Sequence, residues 1–178
     1  MSAISYPTYK SVSDGNWPEK VPAHWEIKKL SHLVVLKSGE SITSEQIKAD
    51  GPYPVYGGNG NRGFSDRYTH DGEYVLIGRQ GALCGNINYA TGKFWASEHA
   101  VVVKPLQSFP TRWMGELLRA MNLNQYSISA AQPGLSVGTI SALRIPVPPP
   151  DEQRVIADFL DRETARIDQI AAIEHCII

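Results

Sequence analysis

The sequence predicts an α+β fold: a globular body on a twisted, mostly antiparallel β-sheet with few helices, followed by a long protruding α-helix suited to coiled-coil pairing. Three observations carry this expectation. Short apolar runs separated by Gly, Asn, Asp and Pro fill the first hundred residues, the pattern of strands and turns. A single stretch around Trp113–Met121 repeats its apolar residues at helical spacing. After Pro150, the 28 residues 151–178 contain neither Gly nor Pro, so nothing in them breaks a helix.

Taken in order, residues 1–24 are polar and rich in Pro and Ser, and read as an extended arm leading into "VPAHWEIKKL". "LVVLKSG" reads as a short strand and turn, and "SITSEQIKAD" as one or two helical turns stopped by Gly51-Pro52. "EYVLIG" is a strand bounded by Asp71-Gly72 and Gly78. "LCGNINYATGKFWAS" reads as a hairpin, with Leu83, Gly85, Ile87 and Tyr89 alternating on one face and Thr91-Gly92 as its turn. "HAVVVKP" is a buried strand closed by Pro105. Trp113, Met114, Leu117, Leu118 and Met121 share one helical face, with Pro110 at the start, where a missing N–H costs nothing. "LRIPVPPP" is a last strand, ended by its prolines.

The final segment opens with Asp151 and Glu152, whose carboxylates complement a helix dipole. Ile156, Leu160, Ile167, Ile170 and Ile177 follow 4,3 spacing, with Glu163 and Glu174 interrupting the seam. At ~1.5 Å per residue such a helix spans roughly 42 Å. It is expected to seek a partner helix, because it leads away from the body that precedes it. The expected division is an arm over 1–21, a globular domain over 22–150 and a helix over 151–178.

Composition narrows the function classes. Hydrophobic residues make up 42% and charged residues 20% of the 178, so a folded core is expected. No apolar run reaches the length of a membrane span and the first twenty residues carry no apolar leader, so a cytoplasmic protein is expected. Cys84 and Cys176 stand apart, and the five His residues lack metal-ligand spacing, so neither a disulfide framework nor a metal site is expected. The net charge of −1 is unevenly spread. Residues 151–178 hold seven acidic and three basic residues, leaving residues 1–150 at 14 basic against 11 acidic. A mildly basic body permits a phosphate-binding face.

Several motifs invite enzymatic readings and fail on context. Gly58, Gly60 and Gly63 form a literal G-x-G-x-x-G, but "FSDRYTHDGEY" follows where a dinucleotide fold needs a helix. The segment is then a turn between strands, or a contact loop whose glycines admit a ligand close to the backbone. In the second case Asn59, Asn61 and Arg62 supply polar groups, Asn suiting adenine edges and Arg guanine or phosphate. Gly134-Leu135-Ser136-Val137-Gly138 matches a hydrolase elbow, yet the only later histidine is His175. No Asn/Asp-Pro-Pro-aromatic motif for methylating a base amine is present. Cys84, in an apolar run, is expected to be buried. In "IGRQGALCGN", Arg79 and Gln80 emerge from an apolar strand between glycines. They are either ordinary turn residues or forked side chains presented to base edges.

Four stretches, "VPAHWEIKKL", "YPVYGGNGNRGF", "VLIGRQGALCGNINY…GKFWASEHAVVV" and "IPVPPPDEQRVIADFLD", resemble the DNA specificity subunits of type I restriction–modification systems. The resemblance runs from Pro22 to about Ile170, and the last stretch is its most specific piece. It implies a non-catalytic subunit with two target recognition domains, each followed by a long helix. The helices pack antiparallel and set the spacing of a bipartite double-stranded DNA target. Methyltransferase subunits carry S-adenosylmethionine, so no cofactor is expected here, and a restriction/translocase subunit completes the complex. This chain corresponds to one recognition domain and the start of one helix. Its helix would pair with a second recognition domain's helix or with an identical half-subunit, whose twofold symmetry implies a palindromic bipartite site. On this resemblance Asn59, Asn61, Arg62, Arg79 and Gln80 become candidate base readers, and Lys37, Lys93 and Gln132 candidate backbone contacts beside turns. The competing expectation is an interaction scaffold that acts through its helix and binds no DNA.

Overall fold

The computed structural model describes residues 8–12, 20–81, 83–127 and 134–175. Strands β1 (Tyr9–Ser11) and β2 (Lys20–Pro22) form a small antiparallel ribbon. The expected arm thus folds back on itself, and Val21 is buried. β3 (Glu26–Lys29) pairs antiparallel with β10 (Arg144–Val147), clasping the start of the body to its end. The remaining strands are β4 (Val34–Ser38), β5 (Tyr53–Gly57), β6 (Gly60–Ser65), β7 (His70–Gly78), β8 (Ile87–Ala96) and β9 (Ala100–Pro105). They make one six-stranded sheet in the order β4-β9-β7-β8-β5-β6. All its pairings are antiparallel except β5 with β8. The α+β architecture with few helices is as the sequence predicts.

Helix α1 (Thr111–Ala120) and the short α2 (Val137–Ala142) cover one sheet face. Trp113, Met114 and Leu118 of α1 and Ile140 of α2 pack there with Leu33, Leu36, Val75, Ile77, Val101 and Val103. Alternation along β7 and β9 sends Leu76 and Val102 to the other face, where they join Phe94, Ala90 and Ala96 under the rings of Tyr56 and Tyr74. The central strands are therefore apolar on both faces, which is why they read as continuous hydrophobic runs. Within "SITSEQIKAD" only one 3-10 turn forms, at Ser44–Gln46. The Thr43 backbone N–H donates to Gln46 Oε1 at 3.0 Å in a capping box.

Two expectations about this sheet are corrected. Thr91-Gly92 is not a hairpin turn and Asp71-Gly72 does not bound a strand. β7 and β8 run unbroken through both, in register from His70↔Phe94 to Ile77↔Ile87. Gly72 (φ +131°) and Gly92 (φ +74°) face each other across the ladder. The positive φ that makes Thr-Gly look like a turn here coils a long ribbon. The coil carries the end of β8 back to other strands: Ser97 N–H donates to Tyr56 O and Glu40 N–H to Ala96 O, both at 2.9 Å. The true β7–β8 turn is residues 79–86, so Leu83, Gly85 and Cys84 lie in that turn and not on a strand. Cys84 is nonetheless buried, its Sγ 3.3 Å from Arg79 O.

The long helix α3 spans Pro150–His175. Its first turns do not leave the body. Gln153 is buried and donates from Nε2 to Pro148 O at 2.9 Å, and Ala157 is buried. Glu152 accepts hydrogen bonds from Trp25 Nε1 at 2.8 Å and from His24 Nε2 at 2.6 Å. Arg112 of α1 reaches across, with Nη2 donating to Thr164 Oγ1 at 2.6 Å and Nε 3.1 Å from Asp161 Oδ1, in ion-pair range without hydrogen-bond alignment. From Ala165 to Ala172 every residue is exposed. Ile156 packs partly on the main core, and Leu160 lines a groove with Trp25 and Trp113. Both find apolar neighbours within their own body, contrary to the expectation that the stripe is left uncovered. Ile167 and Ile170 are exposed, as are Val155 and Phe159, which the 4,3 reading passed over. Ile177 lies outside the described residues. Among the described residues no helix is long and apolar enough to cross a membrane.

Candidate nucleic-acid interface

Three loops meet at one end of the sheet. The β5–β6 hairpin turns at Gly58-Asn59, the β7–β8 turn covers 79–86, and the Ser97–His99 turn leads into β9. What brings them together is the absence of a side chain. A Cβ on Gly78 would lie 2.2 Å from the Gly58 carbonyl oxygen, so the first two loops touch only because residue 78 is glycine. Arg79 N–H donates to His99 O at 2.9 Å and ties in the third loop. Asn86 Nδ2 donates to Asn59 Oδ1 at 2.9 Å, joining the loop tips.

The loops enclose an open notch of about 450 Å³. Gly58, Asn59 and Arg62 line it from the β5–β6 hairpin, Gln80, Gly81 and Leu83 from the β7–β8 turn as the other wall, and His99 from the third loop. A second concavity of about 470 Å³ lies beyond Arg79 and Gln80, against residues 134–138. Gln80 lines both. Ser136 of the G-x-S-x-G stretch lies there as the cap of α2, its Oγ accepting from Thr139 N–H at 3.5 Å. Its backbone is extended, so it is no strained nucleophile elbow.

The expected readers fall into distinct places. Asn59, Arg62 and Gln80 share the notch, and Arg79 flanks it, Nη1 donating to Ser38 Oγ at 3.1 Å. Asn61 is on β6, its Oδ1 accepting from Gly63 N–H at 2.6 Å, a local turn bond. Lys37 is exposed on β4 beside Ser38. Lys93 sits on β8 with Nζ 4.8 Å over the Tyr68 ring, outside both concavities. Gln132 lies outside the described residues. No helix follows Gly63, because β6 continues to Ser65, so the glycine motif builds a hairpin and no dinucleotide cradle.

Two residues that line the notch, Leu83 and His99, and Asn86, which ties two of its loops, are not marked out by the sequence. By sequence Leu83 reads as part of a strand, His99 is one of five scattered histidines, and Asn86 carries no signal of its own. The one sequence signal was an apolar residue inside the glycine-flanked polar run "GRQGALCGN". His99 stands between two oxygens, Nδ1 3.1 Å from Gln80 Oε1 and Nε2 3.1 Å from Glu98 Oε1.

The family profile described as "Type I restriction modification DNA specificity domain" matches residues 22–175. The chain belongs to this family. Among curated members, it is 44% identical over 152 residues to the type I restriction enzyme EcoprrI specificity subunit of Escherichia coli, covering 83% of this chain and 38% of that protein. A putative type I restriction enzyme specificity subunit of Haemophilus influenzae is 29% identical over 134 residues, 74% of this chain and 35% of that one. This chain thus spans little more than a third of those specificity subunits. The S subunit of a type I restriction-modification system from M. genitalium superimposes with a TM-score of 0.73 at 20% identity, over 84% of this chain and 41% of that one. That likeness fixes the type I S-subunit fold for the body and helix.

Proposed function

We propose that this chain is a sequence-specific reader of double-stranded DNA, the part of a type I specificity subunit that recognises one half of a bipartite target. The convergence of the three loops supports this reading above all. It gathers Asn59, Arg62 and Gln80 in one notch with Arg79 beside it, side chains whose amide and guanidinium forks suit base edges. Lys37, next to the serine that holds Arg79, suits a phosphate contact. The body over 22–150 reads. The helix over 151–178 sets spacing and pairs with the helix of a second recognition domain or an identical half. Methyltransferase subunits with bound S-adenosylmethionine dock on the assembly and supply the base chemistry, and a restriction/translocase subunit joins them. The chain contributes no catalysis, and the complex works in the cytoplasm.

The test is methylation-site sequencing in a host carrying this chain with its methyltransferase. The expected result is one bipartite motif, lost when Arg79 and Gln80 are both replaced by Ala. Unchanged methylation in that variant overturns the reading. A scaffold acting through α3 alone is the rival, favoured by the exposed Val155, Phe159, Ile167 and Ile170. Apolar helix pairing is insensitive to salt, whereas DNA binding weakens steeply with it through counterion release.

A further inference from the structure

The notch combines chemistries that make a specific demand on its ligand. Leu83 is 44% exposed, an apolar side chain in a wall otherwise made of polar groups and glycines. Gln80, in the same wall, has its Oε1 3.1 Å from His99 Nδ1. His99 Nε2 lies 3.1 Å from the Glu98 carboxylate, an obligate acceptor. The other Glu98 oxygen is buried without a hydrogen-bond partner. Gln80 turns its amide oxygen toward His99 Nδ1, so the NH₂ end of the amide points away from the ring. A free Gln reads adenine by donating and accepting together. Here the accepting end already faces His99, and the exposed apolar side chain of Leu83 lines the same notch.

In the major groove, thymine offers a hydrogen-bond acceptor, O4, next to an apolar group, the C5-methyl. No other unmodified base presents that pair. We infer that Gln80 and Leu83 together read a thymine, the Gln80 NH₂ donating to O4 and Leu83 contacting the methyl, with His99 as the positioning residue that fixes the amide. This rests on the DNA-reading function above and names its base at this wall.

The test uses the chain assembled with its methyltransferase subunits and duplexes carrying the motif found by methylation sequencing. Each thymine of the half-site is replaced singly by deoxyuridine, which removes only the methyl. At one position the wild-type complex should lose about three- to tenfold in affinity, the scale of one desolvated methyl contact. Leu83→Ala should abolish that sensitivity and leave the other positions unchanged. Placing 5-methylcytosine (opposite guanine) at the same position keeps the methyl but sets an N4 donor against the Gln80 donor. It should weaken binding at least tenfold. His99→Ala should narrow that gap without touching the deoxyuridine effect, and His99→Asn, whose amide can take the place of Nδ1–H, should restore it. Motif-specific binding with no position whose deoxyuridine effect depends on Leu83 overturns the inference while leaving DNA reading intact. So does 5-methylcytosine binding as tightly as thymine. Absence of any motif-specific binding overturns the underlying function instead.

Discussion

Arg79 carries several tasks at once. Its backbone N–H holds the His99 turn, its carbonyl accepts from Leu135 N–H at 2.9 Å, and its guanidinium rests on Ser38. Arg79→Ala keeps the backbone bonds and removes only the fork. It should cost about 1–3 kcal/mol at a single base position if the fork reads an edge, measured against a panel of single-base variants. An equal loss on all sequences reassigns it to phosphate. Gly78→Ala acts differently. The methyl meets the Gly58 carbonyl, so the two loops must part, at about 1–3 kcal/mol of stability. Motif binding should fall at every base together, since the whole notch opens. A third residue probes the body alone. Burial, then the hydrogen bond donated to Glu116 at 2.9 Å and that carboxylate's charge, push the Tyr89 phenol up to about 12. The folded state then holds this proton where the unfolded chain releases it. The stability linked to Tyr89 is complete below pH 10 and is lost as pH rises toward 12. Absorbance titration at alkaline pH should show a late phenolate step that Tyr89→Phe removes.

At the scale of elements, Arg112 braces the long helix. Its guanidinium lies 5.2 Å over the Tyr89 ring and joins α1 to Asp161 and Thr164. Arg112→Ala should lower stability by about 1–3 kcal/mol in urea unfolding and raise hydrogen exchange in α3 beyond Leu160. Phe159 and Ile170 lie on the side of α3 that its own body leaves open. If α3 pairs as proposed, replacing both by Glu should leave the chain monomeric in sedimentation equilibrium where the wild type associates, with an unchanged melting curve. Periodicity alone made much of this legible. β4, β9, α1 and α3 stand where Val/Leu runs and helical spacing placed them. Which α3 residues are free for a partner was not legible, because it depends on α1 and Trp25, brought there by long-range packing. Nor did sequence place the notch. Asn59, Gln80 and His99 lie 21 and 19 residues apart in sequence, and the long-range pairing of β5, β7, β8 and β9, with the close approach that Gly78 allows, makes their loops neighbours. The Thr91-Gly92 error has the same origin. A glycine that accepts positive φ suits a turn and a bend within a strand equally, and only the facing strand decides.

At the scale of the whole molecule, charge is divided as the sequence implied. The mildly basic body carries the notch, and the net −4 of residues 151–178 lies along the helix. If the body holds DNA as proposed, that DNA is repelled from the distal helix, which leaves the helix available for protein contacts. Lys37→Ala should weaken binding about equally on all sequences and reduce the slope of log affinity against log salt by about 1.

The pairing of β3 with β10 has an architectural consequence. Polypeptide enters the globular portion and departs from it side by side, through two adjacent antiparallel segments, with α3 starting after two intervening residues. Everything between them behaves as a plug in a fixed socket. Loops there can be redrawn, or the plug exchanged for another of like base, while the rod keeps its angle and length. On the proposed function, new targets would thus be acquired without resetting the distance between two half-sites.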